Sequence, residues 1–341
     1  MKDMRYMAMA LIAALTLAAG CAVEDDGQDA ERTAQVFQAW VNLQKTRHPE
    51  YLWRRTPLGC YILEESAGTG EAVGSPDDSP YVTVSYTITD QEGNITETNR
   101  ESAAKLLGTW DQTYYYGASV SFRGNNSMYA GIEEVLPDMQ AGGRVKVLIP
   151  YWLLSNKRYS KEKTYIKNVT SGTTSIYDIE VKQRITDIDE WMADSLKTYV
   201  DAHFAKVDTV ITGCYYECLS EGTEELSSGS QYYISYTGRR TDGQVFDTTD
   251  ENTAIDEHIY SSSKTYGDTY ITWNSDYTEI TMGADATELI EGFQAALGHM
   301  KLGEKGRALI TPALAYKASA QGKLIPAYSP LLFEIEIIKA K

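Results

Sequence analysis

Alternation of apolar and polar positions dominates this chain. Tyr81-Val82-Thr83-Val84-Ser85-Tyr86-Thr87 and Tyr232-Tyr233-Ile234-Ser235-Tyr236-Thr237 repeat with period two, as half-buried antiparallel strands do. Tyr177-Asp178-Ile179-Glu180-Val181 and Phe333-Glu334-Ile335-Glu336-Ile337 continue the pattern, and Asp242-Gly243 marks a turn. Helical spacing is confined to short stretches. Over Thr287–Met300 the residues Leu289, Ile290, Phe293, Leu297 and Met300 make one apolar stripe. A helix is predicted over Ala30–Gln44 with Val36, Phe37, Trp40 and Leu43 inward, and another within Thr186–Val210 on Trp191, Leu196, Val200 and Phe204. These aromatic stripes read as packing surfaces. The pattern implies an α+β class, an antiparallel sheet with one apolar face on one short helix.

The strands come in two sets. Gly59-Cys60-Tyr61-Ile62-Leu63 matches Gly213-Cys214-Tyr215-Tyr216-Glu217, and the strand ending Ser85-Tyr86-Thr87 matches the one ending Ser235-Tyr236-Thr237. Gly131, Met139, Gly142 and Ile149 fall 161 positions before Gly292, Met300, Gly303 and Ile310, without a gap. Tyr177–Val181 matches Phe333–Ile337. Four matches in one order make a tandem repeat. The expected organisation is a signal at 1–20, a tether and helix at 21–56, a first domain at 57–185, a linker helix at 186–210 and a second domain at 211–341.

Composition narrows the partners. The formal charge is −17 over 341 residues, which argues against nucleic acid and anionic lipid. Lys2 and Arg5 precede the apolar run MAMALIAALTLAAG, too short to span a bilayer and ending in small residues before Cys21. Leu17-Ala18-Ala19-Gly20-Cys21 resembles a bacterial lipoprotein signal, so Cys21 is the expected lipidation site and the cell envelope, as an outer membrane lipoprotein, the expected location. The acidic run after Cys21 resembles a Bacteroidetes surface-export signal or is a solvated linker; the two stay open. Cys214 and Cys218 lie about 13 Å apart along a strand, too far to bridge, and buried free thiols are expected for Cys60, Cys214 and Cys218. His48, His203, His258 and His299 are scattered, so neither a metal nor a cofactor is expected. Oligomeric state is left open.

YYISYTGRRTDGQVFD (232–247), ELIEGFQAALGHMKLGEKGRALITPALAY (288–316) and LIPAYSPLLFEIEII (324–338) together resemble an FKBP-type peptidyl-prolyl cis-trans isomerase domain. The resemblance implies two FKBP-like domains and proline-containing polypeptides as partners. It also implies a pocket in the second repeat, with Tyr236, Phe246, Asp247 and Tyr316 as catalytic residues and Leu289, Ile290, Phe293, Ile325 and Phe333 as substrate-binding ones. The floor position, usually Trp in the family, is Phe293, and Lys317 stands where Gly usually follows Tyr316. Thr248–Met282 is about twenty residues longer than a usual connection and is expected to form a hairpin or flap beside the pocket.

Such a pocket needs no nucleophile, metal or cofactor. The X–Pro bond turns over a barrier of about 20 kcal/mol because the amide is conjugated, and a catalyst has only to bind the twisted form better than the planar ones. In the first repeat Tyr86 survives, but Thr96-Glu97 replace Phe-Asp, Ile132 replaces the floor ring, Ser155 the second Tyr and Tyr177 the terminal Phe. No isomerase activity is expected there. Its Ser155–Thr174 loop carries Lys157, Arg158, Lys161, Lys163 and Lys167, read as solvated, or less readily as a docking patch. Two functions follow: an isomerase assisting the folding of exported proteins, or a non-catalytic polypeptide-binding envelope protein on the same scaffold.

Overall fold

The computed structural model describes residues 26–267 and 269–341. The signal segment and Cys21 lie outside the described residues. The chain opens on helix α1 (Asp26–Arg47). It continues through β1 (Arg54–Arg55), β2 (Tyr61–Ser66), β3 (Tyr81–Thr89), β4 (Ile95–Thr98), α2 (Glu101–Leu107), β5 (Ser119–Phe122), α3 (Ala130–Glu133), β6 (Arg144–Ile149), α4 (Glu162–Asn168) and β7 (Ser175–Ile185). Helix α5 (Ile188–His203) leads to β8 (Asp208–Ile211), β9 (Cys214–Ser220), β10 (Gln231–Arg240), β11 (Val245–Thr248) and α6 (Glu251–Asp256). The rest is β12 (Thr269–Thr272), β13 (Thr281–Met282), β14 (Thr287–Glu288), α7 (Glu291–His299), β15 (Lys305–Ile310) and β16 (Leu331–Ala340).

Two antiparallel sheets result, and they share a core order. The first runs β1-β2-β6-β7-β3-β4 and the second β14-β13-β12-β10-β16-β15-β9-β8, so β2-β6-β7-β3 repeats as β9-β15-β16-β10. Small details repeat too. Gly142 and Gly303 turn with φ of +82° and +79°, and the Cys60 and Cys214 thiols approach the carbonyls of Gly131 and Gly292 at 3.8 and 3.7 Å. A side chain at Gly131 or Gly292 would collide with Ile149 or Ile310, so these helices can lie on their sheets only as glycine. Cys60 and Cys214 are free and buried; Cys218 is free but only half-buried, short of the expected burial.

Each sheet is covered by a helix on its outer face. Met192, Leu196 and Val200 of α5 pack on Leu309 and Leu332, and Val41 of α1 packs on Tyr61, Leu63 and Leu148. Leu148 precedes Leu309 by 161 positions, so the helix belongs to the repeating unit. The structure corrects three expectations. Val36 and Leu43 of α1 are 63% and 48% exposed; Phe37 and Trp40 do pack inward, joined by Ala30, Ala34 and Val41, and the two small alanines bring α1 close to α4. The second half of the basic segment is that helix α4, with Tyr165 and Ile166 buried, rather than a solvated loop. Finally, the last helix begins only at Glu291, because Thr287 and Glu288 are extended and pair with Met282 and Thr281. No helix among the described residues is long and apolar enough to cross a membrane.

Candidate active site

The site is built around one missing side chain. Gly238 on β10 pairs with Phe333 of β16 on one side and Asp247 of β11 on the other. The register shifts at Arg239, which pairs with Val245, so Phe246 is the extra residue of a β-bulge. A bulge re-aims side chains, and here it lets consecutive Phe246 and Asp247 both serve the same cavity. An ideal Cβ on Gly238 would sit 2.6 Å from the Phe246 ring and 2.9 Å from that of Phe333. Only glycine admits both rings.

The aromatic groups close into one cluster. Phe293, third residue of α7, lies with its ring centre 4.8 Å from that of Phe333 and 5.4 Å from that of Tyr236. Phe246 meets Phe333 edge-on at 5.6 Å. Phe293 and Phe333 are buried as floor, whereas Tyr236, Phe246, Leu289, Ile290 and Tyr316 are half-buried around it. Leu289 and Ile290 lie in the extended approach to α7, and the Leu289 carbonyl already accepts from Gln294 Nε2 at 2.7 Å. Ile325 is buried in the same core, its segment folded back by paired backbone bonds to Gln321.

Polar groups gather at one side. The Tyr236 hydroxyl donates to Asp247 Oδ2 at 2.7 Å, and Lys264, from the inserted segment, pairs with Oδ1. The ammonium also lies 5.9 Å from the Tyr236 ring centre. Burial, then the Asp247 charge, pushes the Tyr236 hydroxyl well above the usual phenol range, so it remains a donor. Tyr316 packs against the same core, and its hydroxyl is pushed up by burial and then by that same Asp247 charge. Among the described residues the Tyr316 hydroxyl takes no protein hydrogen-bond partner, leaving it free to donate into the cavity.

Lys317 turns with φ of +54°. The glycine conformation is thus kept without the glycine, and Lys317→Gly should raise stability by a few tenths to about 1 kcal/mol in chemical denaturation. A loss of stability would show that the lysine side chain matters more than its backbone.

The end of the inserted segment forms the expected hairpin, β12 with β13, and this hairpin joins the sheet on β10 rather than standing apart as a flap. Three site residues were missed from the sequence. Gly238 had a signal, since glycine inside a strand marks a close approach. Lys264 and Arg240, the latter discussed below, had none, because each acts across a fold-dependent distance. In the first repeat Tyr86 donates to Glu97, as Tyr236 does to Asp247, and the same bulge leaves Thr96 as the extra residue. Ile88 occupies the place of Gly238, filling the space that Thr96 vacates. A cavity of about 540 Å³ lies beside Arg54, Glu134 and Arg144 in the first repeat, but no aromatic side chain lines it.

Similarity to known proteins identifies the family. The family model described as FKBP-type peptidyl-prolyl cis-trans isomerase matches residues 222–338. The FK506-binding protein 1A of Neurospora crassa is 30% identical over 121 residues, 36% of this chain and 81% of its own length. The FK506-binding protein 1 of Aspergillus oryzae is 33% identical over 33% of this chain and 84% of that one. The chain belongs to the FKBP-type peptidyl-prolyl cis-trans isomerase family. In this FKBP chain the match covers the second repeat. Longer relatives are spanned only in part, as with the probable 25 kDa FKBP-type isomerase of Pseudomonas aeruginosa, 29% identical with 37% of its length covered. A solved isomerase from Pseudomonas syringae pv. tomato gives a TM-score of 0.31 at 26% identity over 45% of this chain and 95% of that one; the assignment rests on the sequence matches.

Proposed function

We propose that the aromatic cavity of the second repeat is where this isomerase turns the X–Pro bond, and that the protein assists the folding of exported polypeptides in the cell envelope, held there by lipid on Cys21. The observation that carries the site is the Tyr236–Asp247 bond set on the cluster of the Phe246, Phe293 and Phe333 rings, with Tyr316 packed against the same core. Three polar groups around an apolar floor are poor packing and good recognition. Burying a prolyl ring of about 100 Å² of apolar surface there contributes roughly 2–3 kcal/mol. As the amide twists it loses the charge separation of its conjugated form, so an apolar, water-poor site favours the twisted form over the planar ones, while a hydrogen bond from Tyr316 holds the peptide in place. Water excluded from the cavity strengthens that bond. The first repeat, with Ile88, Thr96 and Ile132 in its corresponding cavity, contributes no turnover.

The test is the cis–trans exchange rate of a short X–Pro peptide with the full-length protein, its Asp247→Ala and its Tyr316→Phe forms. In Tyr316→Phe, loss of the hydrogen bond with which Tyr316 holds the peptide should slow exchange about 10-fold. Asp247→Ala, which also frees the Tyr236 hydroxyl and Lys264, should slow it by about 10- to 100-fold. The relatives are named for binding FK506, and that compound should compete with the peptide. A second reading, polypeptide binding without turnover, draws on Lys264 already sitting on Asp247; peptide binding with no acceleration would establish it instead.

A further inference from the structure

Tyr316 begins, and Ile325 sits within, a segment that the other repeat holds in place. Inside the segment the ties are Ser319 N–H to the Tyr316 carbonyl at 2.9 Å, the paired Gln321 and Ile325, and Tyr328 N–H to the Lys317 carbonyl at 2.8 Å. From the first repeat, Tyr115 N–H donates to the Lys323 carbonyl at 2.9 Å. The Tyr81 ring meets Tyr328 edge-on at 5.5 Å, and Lys323 lies 5.4 Å from the ring centre of Tyr114. Arg240, at the end of β10, joins all three parts. Its Nη1 donates both to the Thr113 carbonyl of the first repeat at 3.1 Å and to the Leu324 carbonyl of the segment at 2.5 Å. Its Nε and Nη2 hold Asp242, and its guanidinium lies 5.5 Å from the Tyr115 ring centre.

Arg240 is 6% exposed. A buried guanidinium tolerates the loss of an acceptor poorly, so one donor fixes a carbonyl of each repeat relative to the other. Behind the segment lies a cavity of about 410 Å³ lined by Tyr115, Trp191, Tyr199, Pro326 and Tyr328. With the ties released, residues 326–330, which border this cavity, have room to shift, and they carry with them the adjoining Ile325 and, through the Tyr328–Lys317 bond, Tyr316. We propose that the first repeat is a brace for the pocket of the second, with Arg240 as the positioning residue through which it acts. The inference rests on the pocket assignment made above.

The experiment uses the full-length protein and a short X–Pro peptide as probe. Arg240→Met and Tyr81→Ala should each raise KM about 3- to 10-fold with less change in kcat, and Arg240→Lys, which keeps the charge and one carbonyl bond, should recover part of the loss. Binding at one site and order at another are reciprocally linked, so the peptide should slow amide hydrogen exchange at Tyr115 severalfold although Tyr115 belongs to the other repeat. Tyr81→Ala removes the Tyr81 contacts with Tyr328 and Phe122 at the start of β3 and serves if Arg240→Met does not fold. Unchanged kcat/KM in folded Tyr81→Ala and Arg240→Met, with Tyr115 exchange indifferent to peptide, overturns the brace while Asp247→Ala and Tyr316→Phe remain impaired. Wild-type activity in those last two variants removes the pocket assignment, and the brace falls with it.

Discussion

Gly238→Val is expected to slow peptide isomerisation by about 100-fold or more, because the new methyl groups must enter the space where the Phe246 and Phe333 rings already stand 2.6 and 2.9 Å from an added Cβ. Neither ring can yield freely. Phe333 is 5% exposed and packed on Phe293, and Phe246 is fixed by the bulge. Overpacking should also destabilise the second repeat by about 1–3 kcal/mol. The first repeat supplies the matching test, since there the same register position is Ile88 and the bulged residue is Thr96. The double variant Gly238→Ile/Phe246→Thr should therefore regain stability to within about 1 kcal/mol of wild type, a coupling expected of residues in contact. Activity should not return, because the double variant copies a filled cavity. A single variant keeping more than a tenth of its rate, or a double variant no more stable than the Gly238→Val protein, would contradict this account of the site.

How much of this was legible beforehand depends on distance along the chain. The period-two runs gave the strands, and the paired Gly-Cys and Gly–Met–Gly–Ile positions gave the repeat, because both are local patterns repeated in register. The site residues Tyr236, Phe246, Asp247, Phe293 and Phe333 were named by the resemblance to the family, and the structure does bring them together. Orientation was harder. The roll of α1 went wrong because Val36 and Leu43 are larger than Ala30 and Ala34, yet the small residues face inward where helices approach closely. The salt bridge from Lys264 to Asp247 spans an insertion of irregular backbone, and no period leads to it. Arg240 stands at a strand end, where no local pattern marks it. Only the second repeat folded against the first turns it into a buried bolt.

Arg123→Ala is expected to be the most destabilising single change in the first repeat. The arginine is 1% exposed, and its Nε and Nη2 each meet an oxygen of Glu133 at 3.0 Å. Its Nη1 donates to the carbonyl and hydroxyl of Ser79, both at 3.0 Å, and Nη2 also to the Gly74 carbonyl at 3.0 Å. Truncation leaves a nearly buried carboxylate and two turn carbonyls without their donor, a loss of about 3–5 kcal/mol. Replacing both partners, as Arg123→Met/Glu133→Leu, should be milder, because no charge is then stranded. For a domain of this size the first unfolding transition should fall by about 10 °C or more in Arg123→Ala. Neither residue touches the second repeat's pocket, so a self-sufficient second repeat would keep its activity until its own transition. If the first repeat braces the Tyr316–Ile325 segment through Arg240 and Tyr115, isomerase activity should instead be lost at the lowered temperature, together with the first repeat and ahead of the second.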